Sequence, residues 1–143
     1  MARILVTTSL PATPEQVWDD IRHIDRHVEW MADAVAIRFV TPEHDGVGAR
    51  FETDTRVGPL RLTDRMVITE WEPGRAMGIR HQGAVTGSGR FTLVAEQGGT
   101  RFSWEEDLRF PWWMGGPLGA AAGGQVLKWV WSRNLRALQG RFG

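Results

Sequence analysis

The chain has 143 residues, 17 Lys+Arg against 17 Asp+Glu for a formal net charge of +0, and no cysteine. A chain of this size is expected to form one domain, spanning 1–143, that buries roughly 68–70% of its unfolded surface without a covalent staple. Missing thiols exclude disulfides, thiolate metal sites and cysteine nucleophiles, and balanced charge argues against a nucleic-acid-binding surface. No apolar run approaches the ~18 residues of a membrane span, and residues 1–10 lack the long apolar core of a secretory signal, so a cytoplasmic location is expected. The 8 Trp with no Tyr call for a large core, a ligand cavity or an apolar surface.

Residues 3–10 read as a strand with Ile4, Val6, Thr8 and Leu10 on one face. Thr13, Pro14 and Gln16 form a helix start with capping-box spacing, followed by Val17, Trp18, Ile21 and Ile24 at helical intervals. Asp25 is expected to cap a second short helix over 26–31 carrying Val28, Trp30 and Met31. From about 33 to 110 the pattern is strand and turn. Val35, Ile37 and Phe39 alternate in 34–40; Phe51, Thr53, Thr55 and Val57 share a face in 47–57. Leu60, Leu62, Met66 and Ile68 do so in 60–71, and Met77, Ile79 and His81 in 75–82. Phe91, Leu93 and Ala95 follow in 84–96, then Phe102, Trp104, Leu108 and Phe110 in 100–110. Turns at Asp45-Gly46, Gly58-Pro59, Pro73-Gly74 and Gly98-Gly99 separate them. Short links and one apolar face predict an antiparallel sheet needing a cover. The cover is the stretch 111–142, with a Gly/Ala run over 115–124 and then Leu127, Val130, Trp131, Leu135 and Leu138. The helix either includes the Gly/Ala run or begins near Gly124.

This order, together with Ala12-Thr13-Pro14-Glu15-Gln16-Val17-Trp18, Asp25 and Trp30, Gly46-Val47-Gly48, Ile68-Thr69-Glu70-Trp71-Glu72-Pro73 and Gly98-Gly99-Thr100-Arg101, resembles the START/birch-pollen-allergen (SRPBCC) superfamily. Within it the chain is most similar to bacterial polyketide cyclase/dehydrase-type members. The resemblance implies an α+β helix-grip fold: a curved antiparallel sheet, β-αα-β6-α, wrapped around a long C-terminal helix with an internal cavity. Small residues in the first half of that helix would leave the cavity unfilled.

Asp64 breaks the apolar face of 60–68, and Glu106 does the same between Trp104 and Leu108. His81 shares parity with Met77 and Ile79. Facing a cavity, these three are the candidate acid–base groups; turned to solvent, they would carry no chemistry. Trp30, Phe51, Thr53, Leu62, Met66, Met77, Phe91, Trp104 and Trp131 are the candidate ligand-binding residues. Arg38 and Arg90 stand either near the cavity or in water. His23 and His27 lie four apart but Asp25 between them starts a new element, so no metal site is expected. Thr86-Gly87-Ser88-Gly89 misses the nucleophile-elbow spacing and reads as a bulge or bend. No cofactor fingerprint occurs. Arg109, Lys128, Arg133, Arg136 and Arg141, with Trp112, Trp113, Met114, Trp129 and Trp131, make a basic, Trp-rich C-terminal element. That element is either a core helix with a solvated face or a contact for an anionic membrane or partner.

The expected function is binding of a small hydrophobic, lipid-like or polyketide-like molecule, as carrier, sensor or enzyme. The alternatives are a polyketide aromatase/cyclase or dehydrase, and a cochaperone-like or quinone-associated interaction module.

Overall fold

The computed structural model describes residues 2–143, apart from the side chain of Pro117. The strands are β1 (Ala2–Leu10), β2 (Ala34–Phe39), β3 (Arg50–Val57), β4 (Leu60–Glu72), β5 (Ala76–Gln82), β6 (Thr86–Glu96) and β7 (Gly99–Arg109). Two α-helices, α1 (Pro14–Ile21) and α2 (Gly116–Gly140), and two 3-10 helices, Ile24–Glu29 and Trp112–Met114, complete the chain. The seven strands form one antiparallel sheet in the order β1-β7-β6-β5-β4-β3-β2. This is the helix-grip α+β architecture that the resemblance implies, built on the antiparallel sheet that the alternation predicts.

The capping box at α1 is fully formed: the Gln16 amide donates to Thr13 Oγ1 at 3.2 Å, and the Thr13 amide donates to Gln16 Oε1 at 2.9 Å. The element after α1 differs from expectation. It is a 3-10 helix beginning at Ile24, preceded by His23 with no side-chain cap, so Asp25 caps nothing. The tighter turn buries Ile24, His27 and Trp30 and leaves Val28 outside.

Two register shifts break the simple alternation. One between Ala34 and Ala36 in β2 turns Ala34 inward and exposes Val35, which strict parity grouped with Ile37 and Phe39. The other, between Ile68 and Glu70 in β4, brings Trp71 against Trp18 with ring centroids 5.0 Å apart. Glu70 is thereby freed to accept from Arg90 on the outside. The Gly87-Ser88-Gly89 stretch carries no bulge, because its pairing with β5 and β7 runs without a shift.

Helix α2 includes the Gly/Ala run. Its small residues allow close approach to β1, where a Cβ on Gly124 would touch the Ala2 Cβ at 3.5 Å. Farther along, Asp33 holds the helix to the loop before β2: its carboxylate accepts from Trp131 Nε1 at 3.0 Å and Asn134 Nδ2 at 2.7 Å. Asn134 in turn accepts from the Ala32 amide at 3.0 Å. At the helix end Arg141 donates twice to Asp20 at 2.8 Å and once to Glu29 at 3.0 Å, tying α2 to α1. The far end of α2 is thus tied to α1 and to the loop before β2, its first half packs on β1 at the sheet edge, and a gap remains between its Gly119–Gly123 side and the concave face of the sheet.

Candidate functional site

That gap is a cavity of about 280 Å³ between the sheet's concave face and α2, close to the lower end of the ~300–1,000 Å³ usual for small-molecule sites. From the sheet it receives Phe51, Thr53, Leu62, Met66, Met77, Phe91 and Trp104; from α2 it receives Gly119, Gly123, Leu127 and Trp131. Trp104 and Trp131 stack with centroids 4.5 Å apart, forming an aromatic wall. Eight of the nine residues singled out as ligand-binding therefore line the cavity. Trp30 does not. Its ring is enclosed by His27, Phe91, Phe102 and Trp104, which makes it core behind the wall.

Asp64, His81 and Glu106 all face this cavity. Each is buried, with 8%, 8% and 5% exposure. Their meeting follows from the ladder. Met66 pairs with His81, so Asp64 lies diagonally across from the imidazole on the same face. Glu106 sits on β7, two strands from His81, with β6 between them. It crosses because β6 presents glycine there: Gly89 pairs with Ile79 on one side and Glu106 on the other. Glu106 lies over Gly89 and accepts from His81 Nε2 at 2.5 Å. A Cβ at residue 89 would fall 2.9 Å from both Cγ and Cδ of Glu106.

The electrostatics of the trio are uneven. Burial disfavours charge on His81, but the attraction and hydrogen bond of Glu106, reinforced by Asp64, outweigh it and hold the imidazole above its ordinary pKa. Burial raises the pKa of Asp64, and neighbouring Glu106 adds to the rise; a hydrogen bond from Thr55 and the nearness of His81 oppose it only in part. The Thr55 hydroxyl donates to Asp64 Oδ2 at 2.9 Å. Asp64 Oδ1 and His81 Nδ1 are buried with no hydrogen-bond partner. A cavity with apolar walls and a polar pole having two unused hydrogen-bonding atoms can seat an amphiphilic small molecule, and its imidazole and carboxyl can hold or move a proton.

His27 also lines the cavity, and sequence reasoning missed it. Its Nε2 donates to the Ile21 carbonyl at 2.7 Å, and burial pushes its pKa down to about 4. The 3-10 geometry aims it inward, and nothing in helical or strand periodicity would have indicated that. His23 is on no shared helix with it, because α1 stops at Ile21. Among the described residues no group of three or more His, Asp or Glu is placed to hold a metal ion. Arg38 and Arg90 face water, where Arg38 pairs with Glu52 and Asp54 and Arg90 with Glu70.

The C-terminal element divides. Trp131 is core, whereas Trp112 is 84% exposed, and Trp113, Leu118 and Trp129 also face outward. Arg133 stacks over the Trp129 ring at 4.9 Å. Val126 both lines the cavity and is 47% exposed, so the cavity reaches the surface on this side of α2. No helix among the described residues is long and apolar enough to cross a membrane.

Comparison with known proteins agrees with this architecture. The structure of TTHA0849 from Thermus thermophilus superposes with a TM-score of 0.85 at 15% identity, covering 98% of this chain and 96% of that one. A START superfamily protein from Mycobacterium smegmatis gives 0.75 at 11% identity, covering 99% and 97%. In sequence, the uncharacterized protein Rv1546 of Mycobacterium tuberculosis (strain ATCC 25618 / H37Rv) is 26% identical over 102 residues, which is 71% of this chain and 62% of that protein. The chain thus spans under two thirds of the length of the curated relatives it matches. The family profile described as "Polyketide cyclase / dehydrase and lipid transport" matches residues 1–142, and the chain belongs to that family.

Proposed function

We propose that the protein binds a small hydrophobic molecule in the cavity beneath α2. The observation that carries this reading is a ready-made apolar chamber, walled by Phe51, Phe91, Trp104 and Trp131, which the helix's own glycines leave unfilled. Such a chamber gains affinity mainly by removing apolar ligand surface from water, at about 25 cal/mol per Å² before the costs of binding. The surface around Val126, with exposed Trp112, Leu118 and Trp129 beside Lys128, Arg133 and Arg136, supports entry of the ligand from an anionic bilayer or a partner. Native mass spectrometry of protein purified without detergent is the test. A retained small molecule, together with Trp quenching by an environment-sensitive dye that weakens in Trp104→Phe, is the expected result. A clean apo spectrum with no dye binding overturns the reading.

A second reading is favoured by the His81–Glu106 pair and Asp64. In a cyclase or dehydrase role, the Asp64 carboxylate would take a proton from the carbon beside a ligand carbonyl. His81, held as imidazolium by Glu106, would give its Nδ1 proton to a departing hydroxyl, which leaves as water. Transfer of the proton from Asp64 to His81 then restores both groups. Turnover of a β-hydroxyketone that Asp64→Asn abolishes while binding of an apolar dye is retained supports this role; binding without turnover assigns a carrier or sensor.

A further inference from the structure

We propose that the polar pole of the cavity selects a neutral hydroxyl group on the hydrophobic ligand, and that it rejects carboxylate and other anionic head groups. This rests on the proposed binding of a hydrophobic molecule in the cavity and names the head group that molecule carries.

The inference starts from two unused atoms. His81 Nδ1 and Asp64 Oδ1 have no partner, and both side chains are more than nine-tenths buried among apolar walls. A buried polar group without a hydrogen bond is destabilising, so a ligand that satisfies both atoms recovers that loss on entry. Their chemistry is complementary to one group. Glu106 accepts from Nε2 at 2.5 Å, and its attraction, with that of Asp64, favours the imidazolium, in which Nδ1–H is a donor. Asp64 already accepts from Thr55 through Oδ2, which leaves Oδ1 as an acceptor. A hydroxyl accepts from Nδ1–H through its oxygen and donates its hydrogen to Oδ1. An ether or ketone can do only the first, and an alkyl group neither.

Charge reinforces the choice. The groups facing this pole are His81 on β5, Asp64 on β4, Glu106 on β7 and, farther off, Asp33 before β2 and His27 on the 3-10 helix. Glu106 neutralises His81, so the remaining carboxyls set the local sign. Arg90, whose guanidinium belongs to a residue of the cavity wall, is engaged with Glu70 outside. An anionic head group would meet Asp64 and, farther off, Asp33 in a low-dielectric setting, where His81 is already paired with Glu106 and Arg90 with Glu70. The same residues would tolerate an ammonium, which makes the amine the sharpest competitor in a test.

The experiment measures binding of four probes sharing one ring system to the full chain by Trp fluorescence: naphthylmethanol, ethylnaphthalene, naphthoate and naphthylmethylammonium. The alcohol should bind about tenfold more tightly than ethylnaphthalene, the worth of one satisfied buried hydrogen bond, and naphthoate more weakly than both. In Asp64→Asn, which keeps the shape of the side chain and Thr55 as a partner, an amide nitrogen replaces the orphaned oxygen, and naphthoate should gain about tenfold. In Asp64→Leu the alcohol should lose its advantage while ethylnaphthalene holds or gains. Equal affinity for all four probes overturns the proposal and leaves cavity binding standing. So does tightest binding of naphthoate or of the ammonium. Failure of every probe to bind overturns both.

Discussion

Glu106 reaches His81 only because residue 89 is glycine. The carboxylate of Glu106 occupies the space a side chain at 89 would need, so a missing Cβ on β6 joins β7 to β5. Gly89 has no left-handed φ to explain it, so the void is what the glycine supplies.

Gly89→Ala should therefore fold, because alanine suits a strand better than glycine by about 0.5–1 kcal/mol. It should still be less stable by about 1–3 kcal/mol, because Glu106 is pushed off and the buried pair is broken. The sharper readout is His81 itself. Without Glu106, burial opposes only the weaker attraction of Asp64, so the pKa of His81 should fall from its raised position. An NMR titration of the imidazole reads this directly, and an unchanged titration would show that Glu106 keeps its contact. Since the native pKa is raised, the pair's stabilisation is fully present below the unfolded value near 6.5 and is lost as pH rises through the folded value.

His27 works in the opposite sense. Its folded pKa is about 4 against 6.5 unfolded, so the unfolded chain binds more protons between those values. Its contribution is complete above 6.5 and declines as pH falls toward 4, by an amount on the order of 3 kcal/mol. His27→Gln, which can still donate to the Ile21 carbonyl, should lose less stability between neutral and acid pH than the parent chain. Denaturant unfolding across that range is the check; parallel curves would mean that another group drives the acid transition.

How these side chains meet was only partly legible in the sequence. Asp64, His81 and Glu106 could be singled out because β4 near Asp64, β5 and β7 keep their alternation, so each stands out as a polar residue in an apolar parity class. Their association could not, because it depends on which strands are neighbours and on Gly89, which read as a bend. The register shifts at Ala34/Ala36 and Ile68/Glu70 reverse parity locally and misplace Val35. The Asp33–Trp131–Asn134 contact joins residues about a hundred positions apart, and no local pattern announces it. Alternation places Thr55 on one face with Phe51 and Thr53, yet its bond to Asp64 needed the pairing of β3 with β4.

Asp33→Ala should cost about 2–4 kcal/mol, because it strips acceptors from the Trp131 indole and from the buried Asn134 amide together. Both donors sit on α2, so the loss should loosen the helix beside the cavity. Trp emission should shift as Trp131 moves from its stack on Trp104. Thermal unfolding with fluorescence detection measures both. A small drop in stability with unchanged emission would show that the helix is held by its apolar face alone.

Asp64→Asn should raise stability, and the gain should depend on pH. Asp64 is a buried acid whose pKa is raised above its ordinary value chiefly by desolvation, so it releases its proton at higher pH in the folded chain than in the unfolded one. A carboxyl with a raised folded pKa binds more protons folded than unfolded. Its contribution is therefore intact below the unfolded value of 3.8 and is lost as pH rises through the folded value. An amide carries no such penalty and can still accept from Thr55. The difference in unfolding free energy between Asp64→Asn and the parent chain should be close to zero in acid, where both side chains are neutral. It should grow toward neutral pH, where the parent must either bury a charge or take up a proton. His81 works against the gain, since an imidazolium beside Asp64 favours its ionised form. The double variant Asp64→Asn/His81→Gln separates the two by removing that attraction. Denaturant titrations at several pH values follow the difference. A pH-independent difference would mean that Asp64 has an ordinary pKa and that the pole of the cavity is wet enough to solvate it.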